Sequence, residues 1–181
     1  PATPEIYTLS LPDALPISPA LFSIVPRYVL GGTNPAPPSE KVNVAIIGVG
    51  GMGMRDAQSL LNEPEARIAA VCDVAEDTDL TAYWYKCHAG RRPVKALIEA
   101  AYAKETPNYR CAEYEDFRAL FEKEKGIDAV LCATPDHSHA FITITAMRLG
   151  KHVYCEKPLA HNIWETRRVA QVAKEMGRSE E

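Results

Sequence analysis

The feature that most constrains this chain is a glycine cluster placed between an apolar run and a helical pattern. The run spans Val42 to Ile47, and the cluster that follows reads Gly48-Val49-Gly50-Gly51-Met52-Gly53. In a turn of the form G-x-G-x-x-G, the first glycine allows a tight strand-to-helix turn. The second lets the backbone approach a pyrophosphate, and the third lets helix and strand pack closely. We expect five residues of this turn to bind a dinucleotide: Gly48, Gly50, Gly51, Met52 and Gly53.

Apolar runs of strand length alternate with helical patterns along the rest of the chain. The predicted strands are residues 42–47, 67–72, 109–111, 127–133 and 152–155. The predicted helices are residues 54–62, 93–104, 114–125, 139–149 and 162–176, the last with Asn162 as its N-cap. This alternation predicts an α/β fold with a doubly wound, mostly parallel sheet, the Rossmann fold, over residues 41–177. Residues 74–90 have no clear period, and we expect their aromatic cluster Tyr83-Trp84-Tyr85 to pack on the sheet as a helix.

An acidic residue, Asp73, ends the second predicted strand, twenty residues after Gly53. This is the position at which a dinucleotide-binding fold holds the ribose of the cofactor. A carboxylate there accepts hydrogen bonds from the ribose hydroxyls and repels a 2′-phosphate. The next four residues, 74–77, add negative charge and no cation. The sequence therefore favours NAD over NADP as the cofactor.

Composition argues against several other classes of function. The chain carries 20 basic and 24 acidic side chains, mixed along its length, for a net charge of −4. It has no basic stripe of the kind that binds nucleic acid, and no apolar run of membrane-span length. The five cysteines form no Cys-x-x-Cys pair and are interpreted as small buried side chains. The turn from Asp136 to His139 offers three ligands within four residues, which cannot easily close a tetrahedral shell, so we expect no metal site.

Both ends of the chain resemble a translated sequencing adapter rather than a natural protein. Residues 1–17 resemble one reading of a common short-read adapter except at Pro1, Pro4 and Pro12, and residues 178–181 fit its opposite strand. We therefore expect residues 1–18 and 178–181 to be adapter-derived. Residues 19–40 are then a Pro/Gly-rich leader or linker, and the natural C-terminus lies beyond residue 177.

Two further segments follow the fourth and fifth predicted strands. They read Ala133-Thr134-Pro135-Asp136-His137-Ser138-His139 and Tyr154-Cys155-Glu156-Lys157-Pro158. Both lie at carboxyl ends of strands, where open α/β sheets bind ligands. Together with the glycine turn, these segments make residues 41–177 resemble the Gfo/Idh/MocA family of NAD(P)-dependent sugar and polyol oxidoreductases.

The resemblance implies roles for individual residues. The nicotinamide half of the cofactor would be bordered by Thr134, Pro135, Asp136 and His139, with Glu156 also at the cofactor. Asp136 stands where the family often has Asn, so a side-chain N–H donor is absent at that position. Lys157 would be the catalytic residue, near the substrate hydroxyl that loses its proton, with its pKa lowered in a closed and partly desolvated pocket.

The resemblance also implies that the substrate and the subunit contacts depend on a C-terminal sheet domain that this chain lacks. We therefore expect a fragment that is inactive by itself, from a homo-oligomeric enzyme that oxidises a sugar or polyol. Two alternatives stay open: an NAD-dependent glycoside hydrolase of the same family, and a non-catalytic nucleotide-binding module. Residues 24–32 resemble the region after a twin-arginine signal in a bacterial subgroup, which implies export to the periplasm; otherwise the protein is cytoplasmic.

Overall fold

The computed structural model describes residues 40–178, so the expected adapter-derived ends and most of the leader lie outside the described residues. The strands within this range are β1 (Val42–Ile47), β2 (Ala66–Cys72), β3 (Thr78–Asp79), β4 (His88–Ala89), β5 (Ala112–Tyr114), β6 (Ala129–Cys132) and β7 (His152–Cys155). The helices are α1 (Gly51–Leu60), α2 (Arg91–Tyr102), α3 (Phe117–Lys123), α4 (Asp136–Arg148) and α5 (Ile163–Glu175). None of these helices combines the length and the apolarity needed to cross a membrane.

Five of the strands form one parallel sheet in the order β5-β2-β1-β6-β7. From β1 the chain builds the sheet outward through β2 and β5, and then returns to the other side of β1 to form β6 and β7. The reversal leaves a crevice at the carboxyl ends of β1 and β6, which is where such sheets bind ligands. The predicted Rossmann fold is therefore confirmed.

The central strand β1 is buried on both faces because helices cover both faces of the sheet. Val44 and Ile46 pack towards α1 and α2, whereas Ala45 and Ile47 pack towards α3 and α4. Such two-sided burial explains why β1 reads as a continuous apolar run rather than an alternating one. The helix α5 lies on α4, and a separate small cluster around Val172 joins the two helices.

Several predicted bounds match the structure closely. The strands β1 and β7 have the predicted ends, and α5 begins after Asn162, whose Oδ1 accepts a hydrogen bond from the Glu165 N–H at 3.0 Å. The helices α1 and α4 begin three residues earlier than expected, at Gly51 and Asp136. The N–H groups of a first helical turn need no intrahelical carbonyl, so glycine and polar residues are accepted there.

The strand predicted at residues 109–111 is three residues out of place, because β5 is Ala112–Tyr114. Tyr109 is half-buried through its side chain instead: its hydroxyl donates to the Ile68 carbonyl at 2.7 Å, and its ring packs edge-on against Tyr102. An apolar side chain at this position therefore indicated burial but not strand pairing. The helix α3 starts later than predicted as well, at Phe117, with Asp116 as its N-cap.

The expected helix at Tyr83-Trp84-Tyr85 is wrong. These residues lie in the turn between the antiparallel strands β3 and β4, and Tyr83 and Trp84 are 65% and 72% exposed. The turn is fixed by Asp79, which accepts from the Thr81 N–H at 2.8 Å, and by Lys86, whose φ of 53° reverses the chain. We name residues 78–89 the hairpin.

Candidate functional site

A cavity of about 960 Å³ opens at the carboxyl ends of the parallel strands. Nine of the predicted site residues line it: Gly48, Gly50, Gly51, Met52, Asp73, Thr134, Pro135, Glu156 and Lys157. The other three, Gly53, Asp136 and His139, lie outside its wall. The cavity therefore joins the glycine turn, the acid after β2 and the two loops after β6 and β7.

The glycines of the turn serve two different purposes. Gly48 has a φ of +89°, and a Cβ there would lie 2.5 Å from the Thr134 nitrogen. A Cβ on Gly53 would overlap the carbonyl oxygen of Gly48. Gly50 has a φ of −72° and nothing within 4 Å of an added Cβ. Gly48 and Gly53 are thus required by packing, whereas Gly50 keeps the cavity open at the start of α1.

The first turn of α1 faces this opening. The N–H groups of a first helical turn have no intrahelical acceptor, and the N-terminal end of a helix carries a partial positive charge. Because Gly51 and Met52 belong to that turn and line the cavity, the site has free donors where an anion can approach. Such an end is suited to binding a phosphate.

The Asp73 carboxylate is held by backbone donors. Its Oδ2 accepts from the Val49 N–H at 2.7 Å, and its Oδ1 accepts from the Ala75 N–H at 2.9 Å. The carboxylate therefore ties the glycine turn to the end of β2. Each carboxylate oxygen has two lone pairs, so both can still accept a hydrogen bond from a diol in the cavity.

A cation that the sequence analysis missed, Arg91, lies beside Asp73. Its Nη1 donates to the carbonyl oxygens of Asp73 at 2.6 Å and Val74 at 3.0 Å. The four residues that directly follow Asp73 carry no cation, and Arg91 comes 18 positions after Asp73. Because the hairpin returns the chain to the sheet, the first residue of α2 reaches the same place.

The structure also brings Tyr85 and residues 115–118 to the cavity, none of which was predicted. The Tyr85 ring lies against Gly51, where it occupies the space that a Cβ on that glycine would need. Residues 115–118 follow β5 directly, so a correct placement of β5 would have indicated them. No sequence pattern indicated that Tyr85 lies at the cavity, because its position depends on how the hairpin folds.

Asp136 and His139, both expected at the cofactor, do not line the cavity. The Asp136 Oδ2 lies 3.2 Å from His161 Nδ1, and this contact holds the pKa of Asp136 below its ordinary value. His139 is only 2% exposed, and both of its ring nitrogens contact backbone carbonyl oxygens. These two side chains would affect a ligand only indirectly, by fixing the positions of the loops that they contact.

Lys157 lines the cavity and is exposed. The closed and partly desolvated pocket that was expected around it is not formed by residues 40–178. The neighbouring Glu156 is half-buried, and its Oε2 accepts from the Lys157 N–H at 3.3 Å. The domain thus presents the Lys157 ammonium at the rim of the site without enclosing it.

The carboxyl group of Asp56, on α1, is also perturbed by its surroundings. Burial, and after it the negative charge of Glu156, raises the pKa of Asp56 from 3.8 to about 6. Its Oδ2 is buried and has no hydrogen-bond partner among residues 40–178. The folded state therefore binds this proton more tightly than the unfolded state. The carboxyl group destabilises the fold progressively as the pH rises from about 4 through about 6.

Asp56→Asn is expected to stabilise the domain at about pH 7.5 and to change its stability little at about pH 4. A pKa shift of two units corresponds to about 3 kcal/mol in the free energy of unfolding. Because solvent screens this partly exposed group, the expected gain is reduced to about 1 kcal/mol. Urea unfolding at both pH values measures this gain. Glu63→Gln, which neutralises an exposed acid near the end of α1, is the control. An equal effect of Asp56→Asn at both pH values would contradict the explanation.

Comparison with known proteins gives a consistent result. Residues 42–179 match the model of a family described as oxidoreductases with an NAD-binding Rossmann fold. An inositol 2-dehydrogenase of Rubrobacter xylanophilus is 31% identical over 141 residues, which cover 77% of this chain and 34% of that protein. A glycosyl hydrolase family 109 protein of Saccharopolyspora erythraea is 34% identical over 129 residues, covering 70% of this chain and 25% of that protein.

Solved structures show the same similarity. The crystal structure of myo-inositol 2-dehydrogenase from Lactobacillus plantarum superposes with a TM-score of 0.55 at 27% identity. The superposition covers 75% of this chain and 34% of that one. The chain therefore spans between a quarter and a third of the length of these relatives.

Proposed function

Because the chain belongs to the Gfo/Idh/MocA family of oxidoreductases and contains its NAD-binding Rossmann domain, we propose that the cavity binds NAD in preference to NADP. The observation that carries this proposal is the Asp73 carboxylate, which two backbone N–H groups hold at the end of β2. A carboxylate in that position accepts hydrogen bonds from both ribose hydroxyls and repels a 2′-phosphate.

The rest of the cavity fits the remaining parts of a dinucleotide. The pyrophosphate would lie at the N-terminus of α1, where Gly50 leaves room for it, with the Tyr85 ring beside it. The nicotinamide half would contact Thr134, Pro135 and Glu156, which line the cavity beyond the glycine turn. Asp136 and His139 would act on that half only through the loops that they hold.

Two arginines among the described residues could favour a 2′-phosphate. Arg118 lines the cavity, with its Nη1 3.3 Å from both carboxylate oxygens of Asp116, and Arg91 lies beside Asp73. The Arg91 Nη1 is already bonded to two carbonyl oxygens, which fixes the guanidinium against the backbone. A 2′-phosphate near Arg91 would also meet the Asp73 carboxylate, and two neighbouring negative groups repel each other. The net preference that we propose is therefore for NAD.

Calorimetric titration of the chain with each dinucleotide tests this preference. We expect NAD to bind at least about tenfold more tightly than NADP. Asp73→Asn keeps the shape of the side chain but removes its charge, and should abolish most of the difference. Arg91→Ala is the control and should leave the preference for NAD in place. Tighter binding of NADP by the unmodified chain would contradict the proposal.

For the full-length protein we propose transfer of a hydride from a hydroxyl-bearing carbon of a sugar or polyol to NAD. Bound NAD supplies the hydride acceptor, and the protein orients the reacting groups. The Lys157 ammonium at the rim of the cavity would hold the substrate hydroxyl and assist removal of its proton. The names of the inositol dehydrogenases among the relatives support a polyol as the substrate class.

A second candidate function rests on the family 109 relative, at 34% identity. A glycoside hydrolase of that kind would oxidise the sugar only transiently and return the hydride. Product analysis of a full-length protein separates the two functions. Accumulation of NADH supports the dehydrogenase, whereas a cleaved glycoside with no net change in NAD supports the hydrolase. Homo-oligomerisation and export to the periplasm stay predictions.

A further inference from the structure

The ring of His139 occupies an unusual position between two loops of the site. Its Nε2 lies 2.6 Å from the carbonyl oxygen of Thr134, after β6, and its Nδ1 lies 2.7 Å from that of Pro158, after β7. A carbonyl oxygen can only accept a hydrogen bond, whereas a neutral imidazole has one donor and one acceptor nitrogen. Both contacts are therefore hydrogen bonds only when both ring nitrogens carry a proton.

A doubly protonated ring that is 2% exposed needs a negative partner, because an isolated buried charge is strongly disfavoured. The partner at hand is Cys132, the last residue of β6, which is fully buried. Cys132 pairs in register with Cys155 of β7, and both sulfur atoms lie within 4.8 Å of a His139 ring nitrogen and of each other. The Oγ1 of Thr134 is 3.5 Å from the Cys132 sulfur.

These surroundings favour a proton on Cys155 and a thiolate at Cys132. The Cys155 thiol, the Thr134 hydroxyl and backbone N–H, and the His139 charge together lower the pKa of Cys132 to about 6 against the effect of burial. The pKa of Cys155 is raised by the neighbouring Cys132, by burial and, more weakly, by the charge of Glu156. The Glu156 carbonyl oxygen, 3.5 Å from the Cys155 sulfur, is a competing acceptor for the single proton of that thiol.

Two cysteines and a histidine could instead be read as metal ligands. However, both ring nitrogens of His139 already face carbonyl oxygens at 2.6 and 2.7 Å, so neither lone pair is free to bind a metal. Two sulfur atoms alone do not form the closed, four-ligand shell of a structural zinc site. The contacts therefore favour an ion pair over a metal.

We propose that His139 and Cys132 form a buried imidazolium–thiolate pair that holds the loops after β6 and β7 at a fixed separation. One loop carries Thr134 and Pro135, and the other carries Glu156 and Lys157. His139 is then a positioning residue, which acts on the nicotinamide half of the site without touching the cofactor. The ion pair itself is independent of any ligand, whereas its effect on binding rests on the proposed NAD function.

Nitrogen NMR of the chain with ¹⁵N-labelled histidine tests the ion pair without any cofactor. At about pH 7.5 we expect both ring nitrogens of His139 to show the shifts and bound protons of an imidazolium, because of the thiolate beside it. The signals are assigned by their loss in His139→Gln and their persistence in His137→Gln, which removes an exposed histidine two residues away. A neutral ring in the unmodified chain overturns the proposal, whether or not any variant folds.

The cysteines provide a matched pair of variants. Cys132→Ser removes the thiolate and should return His139 to a neutral ring, whereas Cys155→Ser keeps a hydroxyl donor and should leave the imidazolium in place. An imidazolium that persists in folded Cys132→Ser contradicts the assignment of Cys132 as its partner. Stoichiometric uptake of added Zn²⁺ with loss of a ring N–H signal would contradict it as well.

Titration with NAD then measures the effect of the pair on binding. Cys132→Ser should lower the affinity for NAD by about tenfold, and Cys155→Ser should change that affinity much less. If the unmodified chain binds no NAD, the proposed function fails while the NMR result still decides the ion pair. If NAD binds equally well to both variants, the ion pair does not position the loops.

Discussion

Gly53→Ala is expected to destabilise the domain by about 3 kcal/mol, the upper range for overpacking a rigid interior. The added methyl group would overlap the carbonyl oxygen of Gly48, which is backbone and cannot rotate away. Gly48 has no room on its other side, because a Cβ built on it would already lie 2.5 Å from the Thr134 nitrogen and 2.6 Å from the Ala133 carbonyl carbon. Urea unfolding of the chain, compared with the unmodified protein, measures the loss.

Gly50→Ala is the matched control, because it adds the same methyl group two positions after Gly48 in the same turn. Its φ of −72° suits any residue and an added Cβ meets nothing within 4 Å, so stability should change by less than about 0.5 kcal/mol. The methyl group would stand where the pyrophosphate approaches, so NAD affinity should fall at least about tenfold. Unchanged NAD binding by Gly50→Ala would contradict the position proposed for the pyrophosphate, and unchanged stability of Gly53→Ala would contradict the packing.

The glycine turn shows how much of the structure the sequence could predict. The motif indicated a turn between β1 and α1, because a buried strand and a helix impose strong periodic patterns on either side. The ends of β1 and β7 and the Asn162 cap were predicted for the same reason. The motif also separated Gly50, which was expected to leave room for a ligand and faces open space, from Gly53, which was expected to let helix and strand pack closely and lies against the Gly48 carbonyl oxygen.

Features that depend on contacts distant in sequence were missed. The strand predicted at residues 109–111 lies three residues further on, at 112–114. Tyr109 and Cys111 are half-buried and buried without belonging to it, and the Tyr109 hydroxyl donates a hydrogen bond to the Ile68 carbonyl oxygen instead. A three-residue strand such as β5 is too short to show an alternation. Arg91 reaches Asp73 only because the hairpin brings the chain back to the sheet. A separation of 18 residues in the sequence therefore did not indicate this contact.

The position of His139 illustrates a different limit. Its place after the Thr134-Pro135 turn suggested a cofactor contact, and the turn does border the cavity. The helix α4, however, begins at Asp136 rather than at His139. His139 is therefore one turn inside the helix and faces the buried end of β6, where Cys132 and the Pro158 carbonyl complete its surroundings. Only the pairing of β6 with β7 brings these groups together.

Lys157→Ala is expected to lower kcat by about 10²- to 10⁴-fold in a polypeptide that has the full length of its relatives. In the chain described here, NAD affinity should change by less than about threefold, because the lysine would act on the substrate hydroxyl rather than on the cofactor. Steady-state oxidation of a polyol, followed by NADH absorbance across a range of pH, measures the first effect. Calorimetry measures the second.

Lys151→Ala is the control for Lys157→Ala, because Lys151 precedes the same strand β7 but donates to the Lys125 carbonyl away from the cavity. It should leave kcat unchanged. Lys157→Arg keeps the charge but not the titratable amine, so it should recover substrate binding more than kcat if proton transfer is the role. If Lys157→Ala changes neither kcat nor the pH profile, the domain is a nucleotide-binding module whose chemistry lies elsewhere. If activity falls only through weaker NAD binding, Lys157 belongs to the cofactor site instead.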